Sequence, residues 1–123
     1  MARNHVQPGK VLDFVNNGAA GVAAGSVVVA GTLLAVALGG IPAGATGSAA
    51  IDGVFTVPKL EGVFIGQGVA LIWRASEGAF TTADGAAEAG DIVGGGAVAF
   101  QDAAPGALTV NVKFTGVPGT LVA

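Results

Sequence analysis

Residues 45–59 read ATGSAAIDGVFTVPK and form the longest stretch of this chain that alternates as a single β-strand does. One face would carry Ala49, Ile51, Gly53, Phe55 and Val57, and the other Ser48, Ala50, Asp52, Val54 and Thr56. Successive side chains of a strand point to opposite faces, so this alternation is typical of a half-buried strand. Pro58 should end the strand because proline has no N–H to donate, and Gly53 predicts a bend that lets one segment serve two sheets or turn a barrel corner. We therefore expect shorter strands to pair around this stretch.

Composition favours a small domain that is covered by other protein. The chain has 123 residues, of which 52% are hydrophobic and only 11% are charged, with 22 glycines and no cysteine. Charged residues usually make up about 25% of a chain, and a domain with a surface so poor in charge is difficult to keep soluble. The net charge of −3 argues against binding to a nucleic-acid backbone, which needs a basic face. The absence of cysteine excludes disulfides, thiol catalysis and zinc-thiolate sites.

Two segments resemble targeting signals, and neither is interpreted as one. Residues 1–14 carry positive charges without an apolar segment directly behind them, so they make a poor signal peptide. Residues 21–41 are apolar enough for a transmembrane helix, but glycines interrupt them at intervals of strand length. We expect buried strands there and no membrane partner.

The chain is predicted to fold as an all-β domain, a small β-barrel or β-sandwich with an extended N-terminal arm and little or no helix. Residues 1–17 are assigned to the arm and a first strand, residues 18–114 to the β domain, and residues 115–123 to a C-terminal tail that adds an edge strand or lies across a neighbour. The other predicted strands are residues 10–15, 26–30, 32–38, 68–74, 79–82, 92–100 and 107–114. The predicted core includes Ile51, Phe55, Val57, Leu71, Val110 and Val112, with Val63, Phe64 and Ile65 attaching a connecting segment to it.

One short unit occurs twice. The sequence AVAL at residues 35–38 is followed after five residues by Gly-Ala and a strand, and AVAF at residues 97–100 is followed by the same arrangement. The repetition predicts two similar hairpins in one all-β domain.

The residues suited to catalysis are few. His5 is the only histidine, it lies in the predicted arm, and a base or metal ligand needs partners within reach. None of the serines Ser26, Ser48 and Ser76 lies in a G-x-S-x-G turn. Three consecutive glycines at residues 94–96 lack the Gly-Lys-[Ser/Thr] of a phosphate loop. The eight acidic residues show no calcium-loop pattern, and Asp52 is expected to face solvent or an interface. We predict no catalytic residue, no cofactor and no metal.

Trp73 and Arg74 leave two interpretations open. Tryptophan and arginine are enriched at interface hot spots, so the pair is a candidate anchor. It is equally consistent with a core tryptophan beside a surface arginine.

Residues 34–59, LAVALGGIPAGATGSAAIDGVFTVPK, resemble the signature of a family of small head proteins of tailed bacteriophages, the capsid cement or decoration proteins. The opening MARNHVQPGKVLDF is similar to the usual start of that family, and IVG (residues 92–94) and ALTVNVKF (residues 107–114) resemble its closing strands. The resemblance extends to about Phe114, and residues 115–123 look like an added tail. Some members carry a recombinase-like label, which this chain does not support because it has neither a phosphate loop nor a basic stripe.

The resemblance implies a structural virion protein, made in the bacterial host cytoplasm, that assembles as trimers or dimers on the outer surface of the capsid, with the trimer favoured. Its implied function is to bridge neighbouring subunits of the major capsid protein after head expansion and so to stabilise the shell. The composition fits that function, because low charge and many small apolar residues suit a surface that is covered by protein. The arm fits it as well, because an arm without its own core can add a strand to a neighbour. Weak contacts repeated around a lattice also gain strength from effective concentration.

The expected contacts with the capsid or with other copies lie in the arm and at the aromatic–basic pair: Arg3, Asn4, His5, Val6, Gln7, Pro8, Lys10, Trp73 and Arg74. The structural alternative is another virion β-domain, such as a tail-tube or head-fibre component. The enzymatic alternative is a small hydrolase or nucleotide-dependent factor, for which the sequence offers no convergent set of groups.

Overall fold

The structure, a computed structural model, describes residues 10–82, 87–94 and 96–122, and these residues form strands and no helix. The strands are β1 (Val11–Val15), β2 (Val27–Ala30), β3 (Leu33–Ala37), β4 (Thr46–Ala50), β5 (Asp52–Pro58), β6 (Ile72–Arg74), β7 (Ala79–Thr81), β8 (Ile92–Val93), β9 (Ala97–Ala99), β10 (Thr109–Thr115) and β11 (Thr120–Leu121). The predicted all-β fold class is therefore confirmed.

The first four strands form a curled, open sheet, and the later strands form a closed ring. The open sheet has the order β1-β4-β3-β2, with every pair antiparallel. In the ring, β5 pairs with β10 and β10 with β9. A bridge between Ala70 and Val98 joins β9 to the start of β6, β6 pairs with β7, and a parallel bridge from Phe80 to Lys59 returns to the end of β5. The ring is a small β-barrel.

The segment from Thr46 to Pro58 connects the open sheet with the barrel. It is not one strand, because the ladder breaks at Ile51 and Gly53 has a φ of 125°, which favours glycine. β4 lies in the open sheet and β5 in the barrel. The prediction that this segment serves two sheets is confirmed, but the change of sheet lies at Ile51, and Gly53 is inside β5, opposite Phe114.

The two parts of the fold are copies of one arrangement, which we call the N-terminal unit (residues 10–50) and the C-terminal unit (residues 53–115). In the N-terminal unit Leu12 of the first strand lies opposite Ala49 of the last, and in the C-terminal unit Phe55 lies opposite Val112 in the same way. The correspondence extends to turns: the Gly25 N–H donates to the Ala37 carbonyl at 2.8 Å, as the Gly68 N–H does to the Ala99 carbonyl at 2.8 Å. The β3–β4 and β9–β10 hairpins confirm the repetition predicted from the sequence.

The C-terminal unit contains an insertion that the N-terminal unit lacks. In the N-terminal unit Val27 lies opposite Val36, and a short hairpin turn joins β2 to β3. The equivalent bridge in the C-terminal unit joins Ala70 to Val98, which are much further apart along the chain. The additional segment lies between the end of β6 at Arg74 and the start of β9 at Ala97, and it contains β7 and β8. We call this segment the insertion.

The main core fills the barrel and includes two side chains from the N-terminal unit. The side chains of Leu34 and Val36, on one face of β3, contribute to the cluster that fills the barrel. Its aromatic centre is formed by Trp73, Phe80 and Phe114, with ring centroids 4.9 Å apart for the first pair and 6.0 Å for the second. Such tilted and edge-on contacts add to the effect of burial. The predicted core residues Val57, Leu71, Val110 and Val112 are buried here, and Phe55 is partly buried against the cluster.

A smaller cluster lies on the opposite face of the open sheet. It is built from Val28, Ala35 and Ala49 and is partly covered by Leu12, Phe14, Val22 and Ile51. The open sheet therefore has apolar contacts on both faces. This explains why the adjacent residues Ala49 and Ala50, which were assigned to opposite faces, are both buried.

The same position in each unit carries a buried polar side chain that binds loop carbonyls. The Nδ2 group of Asn16 donates to the carbonyls of Ala20 and Ile41 at 2.9 and 3.0 Å. Its equivalent, Lys59, donates through Nζ to three carbonyls: Leu60 at 2.8 Å, Ala107 at 3.1 Å and Pro105 at 3.3 Å. Each side chain ties the end of the first strand to the loop before the last strand, because a buried polar group needs such partners.

Besides the single strand predicted at residues 45–59, three local predictions were wrong or only partly right. Residues 92–100 are not one strand, since β8 and β9 lie in different sheets and Gly94, with a φ of 114°, separates them. Only Ile72–Arg74 of the strand predicted at residues 68–74 has regular pairing, with a single bridge at Ala70. Phe64 was expected in the core but is 55% exposed, whereas Ile65 is buried and Val63 packs against the core. In the tail, β11 pairs with β8 as an edge strand.

We expect Lys59→Met to lower the free energy of unfolding by about 1–3 kcal/mol, because it leaves partly buried carbonyls without their donor. Lys113→Met is the matched control, since Lys113 makes a partly exposed ion pair with Asp52 and such pairs stabilise a fold only weakly. Urea unfolding of both variants measures the difference. Equal losses would contradict an anchoring function for Lys59.

Candidate interaction surface

A cleft of about 410 Å³ lies between the outer strands of the N-terminal unit. Residues 13–18, from the end of β1, line one side, and residues 29–31, from the end of β2, line the other. Both strands are outer strands of the open sheet as the structure describes it. Outer strands present backbone groups to which another strand can pair. We call this cleft the seam.

In the C-terminal unit the equivalent place is occupied by β7. Residues 72–74 correspond to residues 29–31, and β7 pairs antiparallel with all three of them. Residues 56–61 correspond to residues 13–18, and here the Phe80 carbonyl accepts the Leu60 N–H at 3.0 Å beside the bridge to Lys59. The seam is thus the position at which the barrel is closed by a strand that the N-terminal unit does not contain.

Sequence reasoning did not find the seam. The sequence does contain a signal for the seam, and it lies in the repetition. Residues 35–38 align with residues 97–100, and extending this alignment towards the N-terminus requires a gap as long as the insertion. The unmatched segment contains the strand that closes only one of the two units.

Trp73 is placed in the core of the barrel. Its side chain is buried between strands, and its ring lies 4.9 Å from that of Phe80. These surroundings match the tryptophan half of the alternative, a core tryptophan beside a surface arginine, but the Arg74 side chain is only 14% exposed and so is not a surface arginine. A direct contact of Trp73 with a partner stays a prediction.

Arg74 takes part in an ion-pair cluster within the chain. Its guanidinium lies 3.2 Å from Asp91 Oδ2 and 3.0 Å from Glu88 Oε2. Asp91 is 1% exposed, and its Oδ2 also accepts the Glu88 N–H at 2.9 Å. A buried carboxylate requires such partners, so the cluster fixes the segment before β8 against β6.

Asp52 and Lys113 form a second ion pair, on the outer face of the barrel between β5 and β10. The hydrogen bond from the Lys113 ammonium lowers the pKa of the Asp52 carboxyl; partial desolvation opposes this, and the charges of Lys113 and Lys10 add to it. The prediction that Asp52 faces solvent or an interface is compatible with this half-exposed position.

Three large apolar side chains are exposed on adjacent segments of the C-terminal unit. Phe64, Val69 and Phe100 are 55%, 39% and 50% exposed. A Cβ at Gly66 would lie within 4 Å of both Phe64 and Val69, and the Val69 carbonyl accepts the N–H of Ala99, which precedes Phe100. Exposed apolar groups that lie together mark surfaces that bind other molecules.

Most of the predicted contact residues in the arm lie outside the described residues: Arg3, Asn4, His5, Val6, Gln7 and Pro8. Lys10 is described and exposed, and its carbonyl accepts the Ile51 N–H at 2.9 Å. In the part of the chain that the structure covers, no three His, Asp or Glu residues come together as a metal site. The same described ranges contain no helix long and apolar enough to cross a membrane.

Over the described residues, the domain presents the outer strands of an open sheet and exposed apolar side chains, which are features of a protein that binds other proteins. Comparison with known families agrees. The sequence model of the phage cement protein family matches residues 6–117, which is most of the chain. The chain therefore belongs to the phage cement protein family, whose members associate with the phage capsid. A search of curated proteins gave no match.

The resemblance to this family is confirmed by the match, which covers residues 34–59 and the opening segment from Val6 onwards. A structural function in the phage capsid follows from family membership.

We expect Asp91→Asn to destabilise the fold by about 2–5 kcal/mol, because the partly buried Arg74 loses its buried counter-charge. Glu88→Gln removes the other carboxylate of the same cluster, but Glu88 is 58% exposed, so its loss should stay below about 1 kcal/mol. Thermal unfolding at neutral pH compares the two. A larger effect from Glu88→Gln would contradict the assignment.

The Asp52–Lys113 pair should make stability sensitive to acid. Its folded pKa lies below the unfolded value of about 3.9, so the stabilisation is complete above that value and is lost as the pH falls through the folded pKa. The stability difference between the natural chain and Asp52→Asn should therefore shrink as the pH is lowered from about 6 to about 2. A difference that does not change over this range would show that the pair does not set the acid response.

Proposed function

We propose that this protein is a capsid cement protein that binds the outer surface of the phage head and bridges neighbouring subunits of the major capsid protein. By holding subunits together it stabilises the expanded shell against the pressure of packaged DNA. The observation that carries the proposal is the family match over residues 6–117. It acts by binding and not as an enzyme, and it reaches the virion after synthesis in the cytoplasm of the bacterial host.

The surface of the domain supports this function. Only 11% of the residues are charged, and the exposed side chains include Phe64, Phe100 and Leu108, which is 63% exposed. Such a surface is more favourable when protein covers it. A lattice of capsid subunits offers many equivalent sites, so modest contacts add up to firm attachment.

The protein acts as a homo-oligomer, with a trimer favoured over a dimer. Capsid lattices have local symmetry axes, and a symmetric oligomer contacts several subunits at once. The arm residues from Arg3 to Lys10 are the proposed contact with a capsid subunit or with another copy of the chain. Trp73 and Arg74 remain secondary candidates, since both are engaged within the domain.

Deleting residues 1–9 should leave a folded domain that no longer decorates heads. The deletion removes the arm but none of the described strands, so circular dichroism should be unchanged while binding to purified heads is lost. Sedimentation with heads, followed by electron microscopy, measures this. Undiminished decoration by the truncated protein would contradict an arm contact.

Electron microscopy of heads and whole particles carrying the natural protein also separates the proposed function from its alternative. Density on the shell supports a cement protein. Density confined to the tail tube or to head fibres would overturn the proposal.

A further inference from the structure

We propose that the seam of one copy is filled by residues 5–7 of the N-terminal arm of a second copy. These residues would run parallel to β1 and antiparallel to β2 and so close the N-terminal unit into a second barrel. The inference rests on the proposed homo-oligomer and deepens it, because it assigns the contact that joins the copies.

The C-terminal unit supplies the template for this contact. There β7 runs antiparallel to β6, its central residue Phe80 forms a parallel bridge to Lys59, and its side chain is buried against Trp73 and Phe114. The N-terminal unit has equivalents of the other four ring strands, β5, β6, β9 and β10, but none of β7, and the cleft lies where this strand would be. A short guest strand therefore has a defined place, direction and register. Main-chain hydrogen bonds give such a strand its affinity.

The composition of the arm fits the seam. A guest that copies β7 needs one apolar side chain at the position of Phe80, and Val6 is the only β-branched apolar residue in the sequence MARNHVQPG. Pro8 has no N–H for a ladder and sets the limit of the strand. The side chain of Val6 would enter beside Phe14 and Ala30, which line the cleft.

Charge also favours this occupant. Residues 1–10 contain Arg3, His5 and Lys10 but no acidic residue. The charged residue that lines the seam is Asp13. Opposite charges of this kind orient two partners before they dock.

Direction and reach exclude the arm of the same chain. In the template, Phe80 of β7 forms a parallel bridge to Lys59, which follows the end of β5. By analogy the guest would run parallel to β1, with Val6 beside Asn16 at the far end of that strand. The chain must then return from Gln7 to Lys10, at the near end, in three steps of at most about 3.6 Å each, or about 11 Å. β1 from Lys10 to Asn16 spans about 20 Å at roughly 3.3–3.4 Å per residue. Residues 5–7 can therefore reach this position only from another copy.

Cysteine cross-linking tests the contact directly, because the natural chain has no cysteine. The template pairs Phe80 with Trp73, so Val6 should lie opposite Ala30, at a separation suited to a disulfide. Purified Val6→Cys and Ala30→Cys variants with different tags are mixed and oxidised without heads. We expect a mixed disulfide between the two, and a mixture of Val6→Cys with Leu108→Cys, at an exposed site elsewhere, should give none above background.

Oligomeric state gives the second measurement. Val6→Asp places a charge in the apolar part of the seam and should abolish the oligomer in light scattering, whereas Val6→Ile should retain it and Leu108→Asp should have no effect. Circular dichroism should show a folded β domain for all three variants, because the changes lie in the arm or on the exposed surface and none replaces a core residue.

Several outcomes would overturn the proposal. These are a monomeric natural protein, an oligomer that survives Val6→Asp, or a disulfide that forms only within the chain of a Val6→Cys/Ala30→Cys double variant. A fourth is cross-linking of Ala30→Cys only to a capsid subunit on heads, which would make the guest a capsid segment. All but this last measurement use the protein alone, whereas decoration is measured on heads, so failure here leaves the proposed cement function separately testable.

Discussion

Unpaired strand edges are the constraint on which this fold depends. Each backbone N–H and C=O at an edge needs a partner, and an open edge also invites pairing with other chains. The C-terminal unit meets this constraint within the chain, since β7 returns to β5 and closes the ring. The N-terminal unit has the same strands in the same order but lacks the insertion that would close it, so it presents two outer strands across a cleft.

The composition follows from how the two units pack. One face of the open sheet contributes to the barrel core through Leu34 and Val36, and the other carries a second cluster built on Ala35 and Ala49. A sheet with apolar contacts on both faces has few positions for charged residues. Small side chains let the layers approach closely, which is why alanine, valine and glycine dominate. A charge content of 11% is then a consequence of the architecture as well as of the partners.

Much of the fold could be predicted from local pattern, and the failures have physical causes. Alternation around Gly53 identified the segment that passes between sheets, and the repeated AVA hairpins were recognisable as a pair. The break at Gly94 was missed, because an apolar run gives no sign that its two halves pair with different strands. Phe64 was assigned to the core on hydrophobicity alone, although its neighbour Ile65 takes the inward position. Lys59 and Asp91 are buried by contacts from residues distant in sequence, and the seam is defined by a strand that is absent. Neither kind of feature has a local signal.

The position of Trp73 has a practical consequence for following the folding of this protein. It is the single tryptophan of the chain, and it lies against Phe80 inside the C-terminal barrel, far along the sequence from the open sheet. Its fluorescence emission therefore reports the integrity of that barrel. Peptide-bond absorption in the far ultraviolet reports both units together. If the open sheet detaches before the barrel melts, the two signals will change at different denaturant concentrations, and the gap between them measures how strongly the duplicated halves hold each other.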